Sequence, residues 1–198
     1  MKLFYTANSP YARRARLVAR ACRLEIEETD MSPLAERTEE LLQHGPGAKV
    51  PGLLTDSGAY ICETLLITRY LNDLAGGKLT PRDTAEADKA LELEGLGSLL
   101  MDSLFARSME KRREDGEKSQ TVIDKEAARA ARCYDALNDR LTHQPTVLTL
   151  GTIAVISALG YADWRHAEDD WREGRPGLKA WFNEMMVNPV VAETAPQA

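Results

Sequence analysis

Between Leu3 and Leu74 short apolar runs alternate with stretches of helical spacing, and beyond Leu79 only the helical spacing persists. Leu3 to Thr6 reads as a short strand. From Pro10 to Leu24, Tyr11, Ala15, Val18 and Cys22 recur at three- and four-residue intervals, which predicts a helix with those side chains on one face. Arg13, Arg16, Arg20 and Arg23 fall on the other face, expected to be solvated and partly neutralised by the acidic run Glu25 to Asp30. A second strand is expected near Glu25 to Glu28 and a small helix near Ala35 to Gln43. Leu53-Leu54-Thr55, the turn Asp56-Ser57-Gly58 and Ala59-Tyr60-Ile61 form a hairpin pattern. A helix from about Glu63 to Leu74 follows, with Leu66, Ile67, Tyr70, Leu71 and Leu74 at core spacing.

Gly76-Gly77-Lys78-Leu79-Thr80-Pro81 interrupts the pattern and is the best boundary. It divides the chain into an α/β unit over 1–77, a linker over 78–84 and an all-helical unit over 85–198. Helices are expected over roughly Thr84 to Arg113, Ser119 to Leu141, Thr149 to Ala162 and Gly177 to Val187. The order β-α-β-α-β-β-α followed by helices alone predicts a small mixed sheet joined to a helical bundle. Leu141 to Ala162 contains no Lys, Arg, Asp or Glu, yet its dense apolar part runs only from Ile153. A membrane span needs about 20 apolar residues, so a buried core helix is expected there. The helix from Thr84 carries Leu91, Leu93, Leu96, Leu99, Leu100, Met101 and Leu104, more than one core-facing stripe requires. Gly95 and Gly97 within it would allow close backbone approach.

Composition narrows the class of partner. The chain has 198 residues, 43% hydrophobic and 28% charged, with a formal net charge of -6. That is the wrong sign for tracking phosphates, so no nucleic acid is expected, and most of the negative charge lies beyond residue 77. Cys22, Cys62 and Cys133 form an odd set without zinc-ligand spacing. They read as buried thiols in a reducing compartment, with no metal. Met1 to Tyr5 enters a strand without a basic, apolar leader, which predicts a cytoplasmic protein.

Three features of the first unit carry candidate chemistry. In Asn8-Ser9-Pro10-Tyr11-Ala12-Arg13, Ser9 stands at a helix N-cap with Pro10 at the first helical position. This is a good cap, and also a place where a hydroxyl, free N–H groups and the positive helix end can hold an anion such as a thiolate. In Gly47-Ala48-Lys49-Val50-Pro51-Gly52-Leu53 a proline enters a strand, which requires a turn or a cis bond. A bend there would free the Val50 backbone to pair with an extended, peptide-like ligand. Glu63-Thr64 opens an apolar helix, where two polar side chains and first-turn N–H groups can receive an ammonium and a carboxylate together.

In this order and at these separations the three features resemble the glutathione transferase family. S-P-Y-A matches its catalytic turn, K-V-P its cis-proline and E-T-L-L-I-T-R-Y-L its γ-glutamyl site. Thr149-Leu150-Gly151-Thr152-Ile153-Ala154 falls at its buried N-capping motif. Arg175 to Trp181 and Asn188-Pro189-Val190-Val191 resemble its last helix and closing segment. The resemblance implies a thioredoxin-like domain followed by an all-α domain, with glutathione as co-substrate. It implies that Ser9 stabilises the glutathione thiolate, that Val50 before a cis Pro51 pairs with the cysteinyl unit, and that Glu63 and Thr64 hold the γ-glutamyl group. Lys49 would meet the glycine carboxylate, with Arg37 a second candidate. Lowering a thiol pKa by roughly two units from about 8.5 requires about 2.7 kcal/mol in favour of the thiolate. One charge-assisted hydrogen bond and a helix N-terminus supply that order of energy. The bound thiolate then attacks a small electrophile.

Departures from the family's patterns limit what carries over. Ser9 and Ala12 replace the cysteines of redox relatives, which excludes dithiol exchange at that turn. Thr152 stands where the capping motif usually has Asp, keeping a hydroxyl but no charge. Tyr5 lies near the tyrosine that some classes use. Tyr11, Arg13, Met101, Phe105, Arg107 and Met109 are candidates for the acceptor pocket. A non-enzymatic glutathione-fold binding module is the alternative to an enzyme, and a homodimer is expected from the resemblance and from the apolar surplus after Thr84.

Overall fold

The computed structural model describes residues 1–196, so the last two residues of the expected 85–198 unit lie outside them. The first part runs β1 (Lys2–Tyr5), α1 (Pro10–Ala21), β2 (Glu27–Asp30), a 3-10 turn (Leu34–Arg37), α2 (Thr38–Leu42), β3 (Gly52–Leu54), β4 (Tyr60–Cys62) and α3 (Thr64–Leu74). The second part is α4 (Thr84–Lys111), α5 (Gln120–Leu141), α6 (Leu150–Arg165), a 3-10 turn (Ala167–Asp169), α7 (Pro176–Met185) and α8 (Pro189–Ala192). It is a four-stranded mixed sheet with helices, followed by a helical domain. The strand order is β2-β1-β3-β4, with β1 parallel to β2 and antiparallel to β3, and β3 antiparallel to β4.

β2 begins two residues later than its sequence predicts. Its residues, Glu27 to Asp30, carry no apolar side chain, so its register comes from parallel pairing with β1, Lys2 opposite Glu27 and Tyr5 opposite Asp30. Leu3 faces the helices, where it joins Ala15, Val18, Ile67 and Leu71 in the main core. Phe4 packs on the other face with Met31 and Leu41.

The arginine face of α1 is the main correction to the sequence pattern. α1 lies between α3 on one side and α6 on the other, so both of its flanks are covered. Arg13 is therefore 1% exposed rather than solvated, and Arg14 beside it is 2% exposed. Arg14 donates to Glu94 and, at 2.9 Å, to Ser98 on α4, and Arg69 on α3 approaches the same Glu94 at 3.6 Å. Arg16 and Arg20 stay near the surface and pair with Glu28, as the acidic run suggested.

α6 is buried without interruption from Leu150 to Ala162, as its uncharged sequence requires. Gly97 lets α4 reach it: a Cβ there would stand 2.8 Å from the backbone of Ala154 and Val155. Gly95 serves no such approach, since nothing lies near its Cβ direction. Thr149 and Thr152 complete a reciprocal capping box at the head of α6. The Thr152 N–H donates to Thr149 Oγ1 at 3.1 Å and the Thr149 N–H to Thr152 Oγ1 at 2.8 Å, so two neutral side chains satisfy the two donors. Between the two parts, Leu79 is buried and its N–H donates to the Asn72 side chain at 2.8 Å, while its carbonyl accepts from Leu150 at 3.2 Å.

Three further expectations change. Leu66 and Leu74 of α3 are 57% and 53% exposed, because only the Ile67, Thr68 and Leu71 side of that helix meets the core. Cys62 is exposed, since β4 is an edge strand, whereas Cys22 and Cys133 are buried. No helix among the described residues is long and apolar enough to cross a membrane.

Candidate functional site

The strand register gathers the three sequence features. Gly52 of β3 lies opposite both Phe4 of β1 and Cys62 of β4, so these three residues form one row across the sheet. Just beyond that row β1 runs out toward Ser9, β3 begins after Val50-Pro51, and β4 ends at Cys62, just before Glu63. Residues far apart in sequence thus meet at one edge.

At the first strand end, Ser9 holds an extended conformation and caps α1, its Oγ accepting the Ala12 N–H at 3.2 Å. Accepting that bond leaves the hydroxyl hydrogen free to donate. Pro10 contributes no N–H at the first helical position, and Arg13 N–H donates to the Ser9 carbonyl at 2.9 Å. The serine therefore presents a donor at the positive end of a helix of 12 residues.

At the second, the Val50-Pro51 bond is cis. Among the described residues no backbone partner takes up the Val50 N–H or carbonyl, so both are open to a ligand. Gly52 follows because the Tyr60 ring occupies the space where a Cβ would stand. Lys49 is exposed beside Val50, after Ala48 in a left-handed conformation with φ 44°.

At the third, Glu63 has φ 70° and ψ 118°, a left-handed backbone that costs a non-glycine residue on the order of 1 kcal/mol or more. It caps α3 without a side-chain hydrogen bond, leaving its carboxylate exposed and uncommitted beside the buried Thr64. Strain of this kind persists where surrounding structure fixes it, often at ligand clamps. Arg37, by contrast, is engaged by the Asp30 carbonyl and by Glu40. Tyr5 carries the Arg16 guanidinium 4.2 Å from its ring centre.

The proposed acceptor residues divide. Tyr11, two positions after Ser9, donates to Asp102 at 2.7 Å and meets Phe105 edge-on at 5.3 Å. Burial first, then the bond to Asp102, push its phenol far above the ordinary range, so it stays protonated. Phe105 and Met109 are partly exposed on the same face of α4. Arg13, Met101 and Arg107 are not available to a ligand. Arg13 is enclosed by α6 and α8, donating to the carbonyls of Ile156 at 3.3 Å and Val191 at 3.2 Å and to Thr194 Oγ1 at 3.4 Å. Gly160 leaves the space its guanidinium fills, and burial lowers its pKa to about 10. Met101 is core, and Arg107 is bidentate on Asp169.

The sequence pattern missed the aromatic contacts that run from Phe105 through the buried Tyr161 to Trp164. Phe105 is followed by Tyr161 at 6.5 Å and Tyr161 by Trp164 at 5.8 Å, with Arg165 lying 3.6 Å over the Trp164 ring. The signal was present as Tyr161, Trp164 and Arg165 at helical spacing, but α6 was expected to stop at Ala162. Two surface concavities lie away from the row, one of 630 Å³ beside Arg20 and Glu25 and one of 270 Å³ between α4 and the α5–α6 connection.

Comparison with known proteins bears on this geometry. Residues 8–74 match the model of the glutathione S-transferase N-terminal domain, and residues 120–184 that of its C-terminal domain. A curated relative, the uncharacterized GST-like protein YibF of Escherichia coli K12, is 24% identical over 99% of this chain and 98% of its own. A glutathione S-transferase of Methylobacterium radiotolerans, solved with glutathione sulfonate, superposes with a TM-score of 0.89 at 25% identity, covering 100% of this chain and 95% of that one. A family member from Pseudomonas fluorescens Pf-5, solved with bound glutathione, gives 0.88 at 27% identity, covering 100% and 99%.

Proposed function

This chain belongs to the glutathione S-transferase family, and from that premise we propose that it binds glutathione at the Ser9, Val50 and Glu63 end of the sheet and directs the thiolate at a small electrophile. The observation that supports this is the Phe4, Gly52 and Cys62 row, which brings the strand ends leading to Ser9, from Val50-Pro51 and to Glu63 to one end of the sheet. Each matches one part of a γ-glutamyl tripeptide. Ser9 Oγ donates to the sulfur, the Val50 N–H and carbonyl pair with the cysteinyl unit, and Glu63 with Thr64 holds the γ-glutamyl ammonium and carboxylate. Lys49 suits the glycine carboxylate, while Arg37, already paired, is the weaker candidate. Glutathione bound in the Pseudomonas fluorescens relative supports glutathione as the ligand.

The catalytic role rests on the open donor at Ser9. A scaffold without chemistry has no use for a thiolate donor, so an enzyme fits better than a passive module. Calorimetry with glutathione tests binding, with Glu63→Ala expected to weaken it by tenfold or more, the effect of losing about 1.4 kcal/mol. No saturable binding at millimolar glutathione would end the proposal. Binding with an unshifted thiol pKa, and no turnover across aryl halides, epoxides and peroxides, would favour the module instead.

We further propose a homodimer. Leu65 and Leu66 on α3 and Leu91 and Leu99 on α4 are all exposed, and the Arg69–Glu94 pair joins the two helices at that surface. Four large apolar side chains on adjacent helices are more than scattered surface residues account for. Light scattering is expected to give twice the 22.0 kDa of one chain, and Leu99→Glu to return it to the single mass. A single-chain mass at every concentration would refute the dimer.

A further inference from the structure

His166 follows the last residue of α6 and is 1% exposed, whereas His44 is partly exposed and His143 fully so. It leads into the 3-10 turn Ala167–Asp169, which is tied to the C-terminal end of α4. The His166 Nε2–H donates to the Leu104 carbonyl at 3.0 Å, Arg107 is bidentate on Asp169, and Lys111 pairs with Glu168. Leu104, Arg107 and Lys111 recur at helical spacing, so one face of α4 makes all of these ties. Beyond the turn, Asp170 is left-handed at φ 34°, and Trp171 and Arg172 are both anchored on Asp163. Loss of the ties to α4 would therefore free only a short segment, residues 166–170.

The tie made by His166 is set by its protonation. A carbonyl can only accept, so Nε2 carries the hydrogen and Nδ1 of the neutral ring is bare. Nδ1 is buried and has no hydrogen-bond partner among the described residues. A proton arriving there from solvent turns the imidazole into an imidazolium and creates a second N–H with no acceptor in reach. Glu168 Oε1 lies 4.0 Å away and is engaged by Lys111, and Asp169 is engaged by Arg107. Facing the ring are Arg107 and Lys111 from α4, Tyr161 from α6, edge-on at 6.2 Å, and Glu168 and Asp169 from the turn, with Arg165 next in the chain. Tyr134 of α5 faces the Arg107–Asp169 pair. Burial lowers the His166 pKa first, and Arg107 and Lys111 lower it further. The Leu104 bond, Asp169 and the negative end of α6 oppose this without outweighing it. Arg107 Nε and Tyr134 Oη are also buried without partners among the described residues, so the closed turn holds polar groups that opening would hydrate.

We propose that the turn Ala167–Asp169 is an acid-released latch, in which a proton taken up by His166 frees residues 166–170 from α4. In the closed form the imidazolium would face two cations of α4 without water, whereas in the open form it is hydrated and the left-handed Asp170 can relax. The open form therefore binds the proton better than the closed one. The latch keeps its full stability above the free histidine value of about 6.5 and loses it as pH falls below that. Acid thus loosens the far end of α4 while α1 and the sheet stay closed. The latch is independent of glutathione binding.

Hydrogen exchange of the full chain at about pH 7.5 and about pH 5.5, corrected for the intrinsic pH dependence of amide exchange, tests the latch. Opening of residues 166–170 is expected to rise by up to about tenfold in acid, the ratio for a histidine of pKa about 6.5 that is protonated only in the open form. Amides of α1 and β1 are expected to change by less than about twofold. His166→Gln keeps an N–H for the Leu104 carbonyl but cannot take the proton, so its opening is expected to be equal at the two pH values. A rise below about twofold at 166–170 in wild type, an equal rise throughout the chain, or an undiminished acid response in His166→Gln would overturn the proposal. Protection that grows in acid would also overturn it, because the imidazolium would then be closing on Glu168. Should His166→Gln fail to fold, nuclear magnetic resonance of the wild-type histidine rings decides. His166 is expected to titrate below the exposed His143, and a midpoint at or above that of His143 overturns the latch.

Discussion

Ser9→Ala removes two interactions that other substitutions can separate. Ser9 Oγ accepts the Ala12 N–H at 3.2 Å, so its loss uncaps α1. Losing a serine cap to alanine costs about 1 kcal/mol, which lowers Tm by about 2–4 °C for a chain of this size. On the proposed function the second loss is the hydroxyl donor to the thiolate. A hydrogen bond to a charged group contributes about 1.5–3 kcal/mol, so the bound thiol pKa is expected to rise by about one to two units. Ser9→Gly separates the two effects, because glycine caps almost as well as serine, within a few tenths of a kcal/mol, but has no donor. It is expected to match wild type in Tm and Ser9→Ala in thiol pKa. Ser9→Thr is expected to keep both. Thermal unfolding measures the first effect, and titration of thiolate ultraviolet absorbance in the glutathione complex the second. A bound thiol that titrates in Ser9→Gly within about 0.3 unit of wild type, a difference of only about 0.4 kcal/mol, would refute the reasoning and reduce Ser9 to a helix cap.

Three further perturbations address the frame around the site. Arg14→Met leaves buried Glu94 with only the distant Arg69, and is expected to destabilise by about 3 kcal/mol in denaturant unfolding, with the Arg14→Met, Glu94→Met double variant recovering part of that. Gly97→Ala drives a methyl to 2.8 Å from the α6 backbone and is expected to cost about 1–3 kcal/mol, whereas Gly95→Ala, facing open space, is expected to stabilise slightly, as Tm would show. Glu28 is pushed up by burial, but the bonds from Arg20 and Arg16 outweigh that and hold its pKa below the usual carboxylate range. A depressed folded pKa adds stability above the unfolded value of about 4.3, lost as pH falls through the folded value, so Glu28→Gln is expected to flatten the acid limb of the stability–pH curve below about pH 4 and to lower stability at neutral pH.

The alternation of short strands and helices, the Ser9 cap and the bend at Val50-Pro51 were legible along the chain because each is local. A cap needs only the residues of one helical turn, and a proline at a strand entrance constrains its own bond. β2 was less legible, for Glu27 to Asp30 have no apolar pattern and β1 alone sets their register. Arg13 was misplaced for a related reason. A helical period identifies one buried face, but the covering of α1 on its second flank depends on α6, more than a hundred residues away.

The aromatic contacts beside Tyr11 show the same division. Tyr11 and Phe105 carried an aromatic signal, yet Tyr161, Trp164 and Arg165 gained meaning only once α6 brought them beside α4. The sequence by itself determined the class of fold, the order of its elements and the residue types at the strand ends, since those follow from short-range pattern and backbone chemistry. The tertiary structure decided which charges are buried, which leucines face outward and how the strand ends converge, since these depend on which surfaces long-range packing covers and which it leaves open.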